Sequence, residues 1–583
     1  MLFVSHNLLE DLGLVLCVAA VTSVVFQVIR QPVVVGYLVA GMVVGPHVPI
    51  PLLADSARIQ MLSELGVILL MFALGLEFSL RKLLRLGPTA SFVTALQVGL
   101  MIWLGFIVGR AMGWTPIESI FVGAVISISS TTIIARALAE RPVGPEVREL
   151  VFGVALAEDL AAVMLLAILT AVASGVGLSA RMMAATAGRL ALFLIALIGG
   201  GMVIVPRLMR RIVALDQAET TLVASVGICF AFAVVAERTG YSVALGAFLA
   251  GSLVAESGAV EIIGRLVDPV RDLFAAIFFV SVGMMIDPAQ IAAHWFSLAV
   301  LTIVVIAGKV AGVSIAAMLS GISVSTAVQA GLCLAQIGEF SFIIAGVGTG
   351  SHATRDFLYT LAVAVSAITT FLTPFLIRAS EPLAEFLARH EPRSLLPLRT
   401  MYDGVMTRAR SVRLARSEIG LASTMLGAAG CAIAAILILN EADPLDLTGS
   451  VVRFTGLSYF RAGLLVDVGA LVACLPFAIA MYTAAGKLAD SIARRAMTPG
   501  AVKTETLRAI VAVIRATLLL VVVMPILALV QPFVEPLEGI GAMIIGMVWM
   551  SIVIWRAARA VRGQLGEIGT LLSGGGVSAA PEQ

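Results

Sequence analysis

The sequence has little charge. Asp, Glu, Lys and Arg make up 13% of the residues, against 60% apolar residues and a mean hydropathy of +1.06. A soluble domain carries about 25% charged residues. No water-facing surface can cover so many apolar side chains, so most of this chain faces lipid. A net charge of +2 by itself says nothing about a nucleic-acid partner, and none is expected of a chain this apolar. Histidine and cysteine are scarce too. His6, His47, His294, His352 and His390 share no motif, and Cys17, Cys229, Cys333, Cys431 and Cys474 are dispersed through apolar segments without metal-ligand spacing. A metalloenzyme has no support, no cofactor is expected, and no nucleophile and base cluster as another enzyme would need. The N-terminus lacks a basic n-region, and the apolar run after it is too long for a signal-peptide core, so a retained first helix is expected.

What the chain does have is long apolar runs. With roughly 20 apolar residues needed per spanning helix, thirteen segments are expected, over 10–30, 33–50, 61–79, 89–110, 117–139, 148–175, 186–208, 218–236, 241–257, 271–286, 294–320, 325–346 and 356–379. Four more are expected over 418–439, 460–485, 506–530 and 536–558. Basic residues set the orientation. Loops after odd-numbered spans carry Arg30; Arg81, Lys82 and Arg85; Arg136, Arg141 and Arg148; Arg207, Arg210 and Arg211; Arg265 and Arg271. Loops after even-numbered spans are poorer. The N-terminus is therefore expected outside and the C-terminus, near Arg556, Arg559 and Arg562, in the cytoplasm of what we take to be a bacterial inner membrane. The expected organisation is a membrane domain over 1–380, a basic cytoplasmic linker over 381–417, extra transmembrane helices over 418–560 and a cytoplasmic tail over 561–583.

The first domain repeats itself. Gly36–Gly41 in span 2 matches Tyr241–Gly246 in span 9, and Leu70–Gly75 in span 3 matches Phe278–Gly283 in span 10. The hydroxyl-rich Ser127–Thr132 of span 5 stands in the same relation to Gln336–Glu339 of span 12, all at an offset of about 205 residues. An odd number of intervening spans inverts the two copies, and inverted repeats with broken helices near the midplane are the signature of secondary transporters. The fold expected is all-α and polytopic.

Few charges lie inside the spans. Asp159 follows Glu158 about a third of the way along its span, and an intramembrane carboxylate is costly and functional by default. The two side chains lie about 100° apart round the helix, so only one is expected to face a given site. Lys309 sits at the centre of Leu301–Leu319, where an ammonium must find a carboxylate or lose its proton; Asp159 is the expected partner. Ser127, Ser129, Ser130, Thr131 and Thr132 either pack helices closely or open the helix and offer oxygens to a cation. At Gln336-Ile-Gly338-Glu339 a glycine loosens the backbone beside a carboxylate, and half-helix ends there would aim their dipoles at the site.

In order along residues 10–380, Gly36–Pro46, Leu74–Glu77, Ser129–Thr132, Glu158-Asp159, Ala244–Gly251, Phe278–Met284 and Gln336–Phe340 resemble the Kef-type potassium/proton antiporters and their sodium/proton relatives. The resemblance implies thirteen spans with inverted repeats, a dimerisation domain and a mobile core, crossed broken helices, and a homodimer. It implies that Asp159 binds cation or proton and that Lys309 is its ion-pair partner. Glu158, Ser129, Ser130, Thr131, Thr132 and Gln336 would line the site, with Gly338 and Glu339 supporting the crossing. Transport of K⁺, or secondarily Na⁺, against H⁺ is expected, with one cation per proton; the alternatives are a sodium-coupled solute symporter of similar fold and a cation channel. Two departures stand out. Glu158 occupies the place where Kef-like members have Gln and sodium exchangers Asn or Asp. No glycine-rich turn marks a nucleotide-binding domain after the membrane part, where the extra spans stand instead. Those spans hold Asp467, about 9 Å below the outer edge, and Arg515, about 12 Å from the inner edge, at 1.5 Å per residue; the two are expected to miss each other.

Overall fold

Lipid offers no partner for backbone N–H and C=O groups, so apolar runs of this length fold as helices. The computed structural model describes residues 8–29, 31–48, 56–77, 88–140, 143–173, 180–390, 396–411, 416–441, 451–453, 458–496, 504–530 and 536–574. The first helices are α1 (Leu8–Val28), α2 (Val33–Val44), α3 (Ser56–Glu77), α4 (Pro88–Ala111), α5 (Pro116–Ser127), α6 (Thr131–Glu140), α7 (Pro145–Ala173) and α8 (Ala180–Val213). They continue as α9 (Ala218–Arg238), α10 (Val243–Ala255), α11 (Val260–Met284), α12 (Pro288–Ala293), α13 (Trp295–Leu319), α14 (Val324–Cys333), α15 (Glu339–Gly350) and α16 (Asp356–Arg389). Beyond them lie α17 (Leu396–Ser411), α18 (Arg416–Glu441), α19 (Tyr459–Ala496), α20 (Thr504–Val530) and α21 (Pro536–Gly574). Among the described residues nine helices are long and apolar enough to cross a membrane, and α5, α14 and α15 are among the shorter apolar ones. The loop residues Arg30, Arg81, Lys82, Arg85 and Arg141 lie outside the described residues.

The chain sorts into two compact units. The first comprises Met1–Thr94, Met101–Ala311 and Ala330–Ser380, and its packing shows the repeat. Helix α2 packs on α11, and α3 packs on α10. The operation that exchanges span 2 with span 9 and span 3 with span 10 turns the first contact into the second. Glycines set both distances. A Cβ on Gly41 would run into the Val280 carbonyl, and one on Gly75 into the Phe248 carbonyl. Backbone approach through small residues is how helices associate where lipid competes for apolar contact. The buried carboxylate of Asp11 holds Arg58 at 2.9 Å and ties α1 to α3.

The second unit is not made of C-terminal residues alone: it takes in Ala95–Leu100 and Gly312–Gln329 with Glu381–Gln583. The segment expected as a basic linker contains α17, whose Leu398, Tyr402 and Val405 are buried against Ala489, Ile510 and Ala557. The Tyr402 hydroxyl donates to the Leu319 carbonyl at 2.7 Å. A second core forms where Met425 and Ala429 meet Ala484, Ala485, Leu519 and Val522. Arg515 lies over the Tyr482 ring and beside Gly486. From 467 to 482 is 15 residues of one helix, about 22 Å at 1.5 Å per residue, so Arg515 is far from Asp467 along α19. The Asp467 side chain itself lies outside the described residues.

Candidate functional site

The site is built where two helices break. Helix α5 starts on a capping box: Thr115 Oγ1 accepts from the Glu118 N–H at 3.2 Å, and the Thr115 N–H donates to Glu118 Oε2 at 2.9 Å, with Pro116 at the first helical position. Arg355 donates to Glu118 through Nε at 2.6 Å and through a terminal nitrogen at 2.8 Å, joining this end of α5 to the loop after α15. Those hydrogen bonds push the exposed Arg355 guanidinium above its ordinary pKa. Helix α5 stops at Ser127, and Ile128 is already extended, with φ −105° and ψ 129°.

The hydroxyls of the run divide the work of breaking the helix. Ser127 Oγ donates back to the Ala124 carbonyl at 2.8 Å and closes the last turn of α5. Ser130 Oγ accepts from the Ile133 N–H at 3.3 Å and so caps the start of α6. Between them Ser129 Oγ donates to the Leu334 carbonyl at 3.0 Å, and Thr131 Oγ1 reaches Asp159 Oδ2 at 3.3 Å. The Thr132 side chain lies outside the described residues.

The second break runs from the end of α14 to Gly338, whose backbone is extended. It lies directly against the first. The Gly338 N–H donates to the Ile128 carbonyl at 3.1 Å, and Gln336 Nε2 donates to the Ser130 carbonyl at 3.0 Å. The contacts between the two breaks join residues 205 to 210 apart in sequence, from Ser129 and Leu334 to Ile128 and Gly338, a range that brackets the repeat offsets. Residues related by a two-fold axis can touch each other only at that axis, so the crossing sits on it. A Cβ on Gly338 would stand 2.8 Å from Ser130 Cα and N, and that crowding requires glycine. Helix α16 braces the second break: Ser366 Oγ donates to the Ile337 carbonyl at 2.9 Å and the Ile337 N–H donates to Thr369 Oγ1 at 3.4 Å. Glu339 lies buried in the first turn of α15, where the helix dipole favours a carboxylate.

The charged trio comes together here with a different pairing from the one expected. Lys309 Nζ stands 3.5 Å from Glu158 Oε2, not in an ion pair with Asp159, and it donates to Ser129 Oγ at 2.6 Å. Glu158 Oε2 also accepts from the Ser129 N–H at 2.7 Å. The expectation that Glu158 and Asp159 cannot serve one site is also corrected. Both are buried, and each reaches the break, Glu158 at Ser129 and Asp159 at Thr131, the first residue of α6. The helical angle between neighbours does separate them, but the facing break receives one carboxylate on the chain between the two helices and the other where α6 begins. Two buried acceptors, Glu158 Oε1 and Gln336 Oε1, have no hydrogen-bond partner among the described residues.

Sequence reasoning missed the role of Ser129 as bridge between Lys309, Glu158 and Leu334, and it missed the bracing by Ser366 and Thr369. A signal for the bracing was present in the hydroxyl spacing of span 13. Among the described residues no group of His, Cys, Asp and Glu could hold a resident metal ion.

Residues 13–379 match the family described as sodium/hydrogen exchanger, transmembrane. The chain is 31% identical over 384 residues to K(+) efflux antiporter 5 of Arabidopsis thaliana, covering 64% of this chain and 67% of that one. It is 32% identical to K(+) efflux antiporter 4 of the same plant, of whose length it spans 64%. It is 29% identical to the K(+)/H(+) antiporter subunit KhtU of Bacillus subtilis, covering 65% of this chain and 95% of that one. Among solved structures, the sodium proton antiporter MjNhaP1 of Methanocaldococcus jannaschii shares the fold at a TM-score of 0.50 and 14% identity, over 65% of this chain and 98% of that one.

Proposed function

This chain belongs to the sodium/hydrogen exchanger family, and on that footing we propose that it exchanges a monovalent cation for H⁺ by alternating access at Asp159. It is a membrane transporter and not an enzyme. The observation that carries the proposal is the buried trio. Lys309 lies against Glu158, and Asp159, which meets Thr131 in the same break, is the carboxylate to which we assign the exchanging charge. A proton can answer it, and so can a cation ligated by Asp159, Thr131 and the unpartnered oxygens of Glu158 and Gln336. The two compete, so loading one releases the other, and the stoichiometry is one cation per proton. Ser129, Ser130 and Thr132 complete the ligand-bearing segment, while Gly338 and Glu339 hold the crossing. A bare carboxylate is expensive to carry past hydrocarbon, so the mobile part crosses only when Asp159 is neutralised.

Potassium is the first choice of cation and sodium the second. Neutral oxygens suit a weakly hydrated monovalent ion, and Mg²⁺ dehydrates reluctantly. The relatives named as potassium antiporters favour the same ion. The protein is further proposed to be a homodimer in a bacterial inner membrane, N-terminus outside and C-terminus cytoplasmic. Residues 1–380 would carry transport, and 418–560 would serve another role. The test is dye-monitored exchange in proteoliposomes with potassium, sodium, lithium and no cation, repeated under an imposed membrane potential at zero net driving force. Saturable, potassium-dependent proton flux that ignores the potential is expected. Flux without a cation requirement would overturn the antiporter proposal. A potential-dependent rate would overturn the stoichiometry alone.

A further inference from the structure

Arg515 takes no part in the proposed exchange, and its surroundings ask for an anion. It is part-buried in α20, and among the described residues it has neither a hydrogen-bond partner nor a carboxylate; its Nε is buried with no acceptor. Its guanidinium carbon lies 4.3 Å from the centre of the Tyr482 ring. Gly486 leaves the space the side chain occupies, for a Cβ there would meet Arg515 Cδ at 3.4 Å. A guanidinium stacked on a ring still has its in-plane N–H donors directed outward, in the fork geometry that matches a phosphate.

The level in the membrane fits. Arg515 was expected deep in its span, but it stands beside Tyr482 and Gly486, and the next residue of α19, Lys487, is charged and exposed. Helix α19 then continues through Asp490, Arg494 and Arg495, so this is the edge of the apolar zone. Asp490 does not serve Arg515, because it holds Arg494 at 2.7 Å. In the other direction along α19, Val472, Leu475, Ile479 and Tyr482 are exposed at 59%, 52%, 53% and 44%, spaced to form one stripe. An apolar stripe that ends at an unanswered guanidinium matches one kind of molecule, with acyl chains at one end and a negative headgroup at the other. Basic pockets between membrane helices bind anionic headgroups in this manner.

We propose that Arg515 and Tyr482 form a binding site for an anionic phospholipid, whose phosphate meets the Arg515 guanidinium and whose acyl chains lie along the Val472–Tyr482 stripe. The experiment is native mass spectrometry of the full chain in detergent, titrated with phosphatidylglycerol or phosphatidylcholine, with the oligomeric state read from the same spectra. The wild-type protein should retain phosphatidylglycerol in preference to phosphatidylcholine. Arg515→Gln should lower that retention about tenfold, while Lys487→Gln, about 100° round α19 from Gly486, should leave it unchanged. Inorganic phosphate should not displace the lipid, because it lacks the acyl chains. Equal retention of both lipids by the wild type, unchanged preference in Arg515→Gln, or an equal loss in both variants would overturn the proposal. So would full displacement by phosphate, which would make this a free-anion site. Loss of a dimer with unchanged lipid preference would overturn it as well and would assign the stripe to a second copy of the chain.

Discussion

Lys309 Nζ lies 3.5 Å from Glu158 Oε2, and neither side chain is exposed at all. The pair places a carboxylate next to Asp159 without adding a free charge to the site. The proposed one-for-one stoichiometry rests on Glu158 being occupied in this way.

Breaking a buried pair by removing one partner costs about 3–5 kcal/mol, whereas replacing both can be close to neutral. Glu158→Gln and Lys309→Gln are each expected to lower the melting temperature of the purified protein, and the double variant is expected to melt above either single one. Thermal melts in one detergent measure this. Additive losses would show that the two side chains act independently.

Asp159→Asn should reduce cation-dependent proton flux to the background of empty liposomes while the protein stays monodisperse, because an amide cannot take up and release a proton. Appreciable pH-dependent exchange by this variant would remove Asp159 from the centre of the mechanism.

Gly338→Ala places a methyl group 2.8 Å from the Ser130 backbone. Overpacking of this kind typically costs about 1–3 kcal/mol, and here the strain falls on the crossing itself. Both the melting temperature and the exchange rate should drop. Gly346→Ala is the matched control, since its Cβ would meet only the Tyr359 ring at 3.7 Å. Equal behaviour of the two variants would dismiss the crossing contact as a constraint.

Deletion of residues after about 417 should leave a folded protein that still exchanges ions. All matched motifs end before Arg378. The structure shows what the deletion uncovers: a Cβ on Gly99 would stand 3.2 Å from Pro525 N, so part of α4 would meet lipid instead of α20, and α17 would lose its packing on Ala489, Ile510 and Ala557. That stretch, 95–100, is apolar apart from the buried Gln97, and lipid covers it at little cost. Monodisperse but inactive truncated protein, seen by gel filtration and dye exchange, would make α18 to α21 part of the transport unit.

Much of this protein was legible in the chain because the signals are local. Lipid thickness fixes how long an apolar run must be, so the all-α membrane class was legible from hydropathy alone. The repeat was legible because Gly36–Gly41 and Leu70–Gly75 keep their small residues where backbones touch. The breaks at Ser127–Thr132 and Gln336–Glu339 were legible because hydroxyls and glycine compete with the helix backbone. What only the tertiary structure decided was the pairing. Lys309 could have met either of two adjacent carboxylates, and helical geometry allowed one of them at most. The choice of Glu158 depends on Ser129, which binds both partners from an unwound segment that no helical wheel represents. Side-chain direction across three separate elements is a property of their packing, and neither residue type nor spacing encodes it.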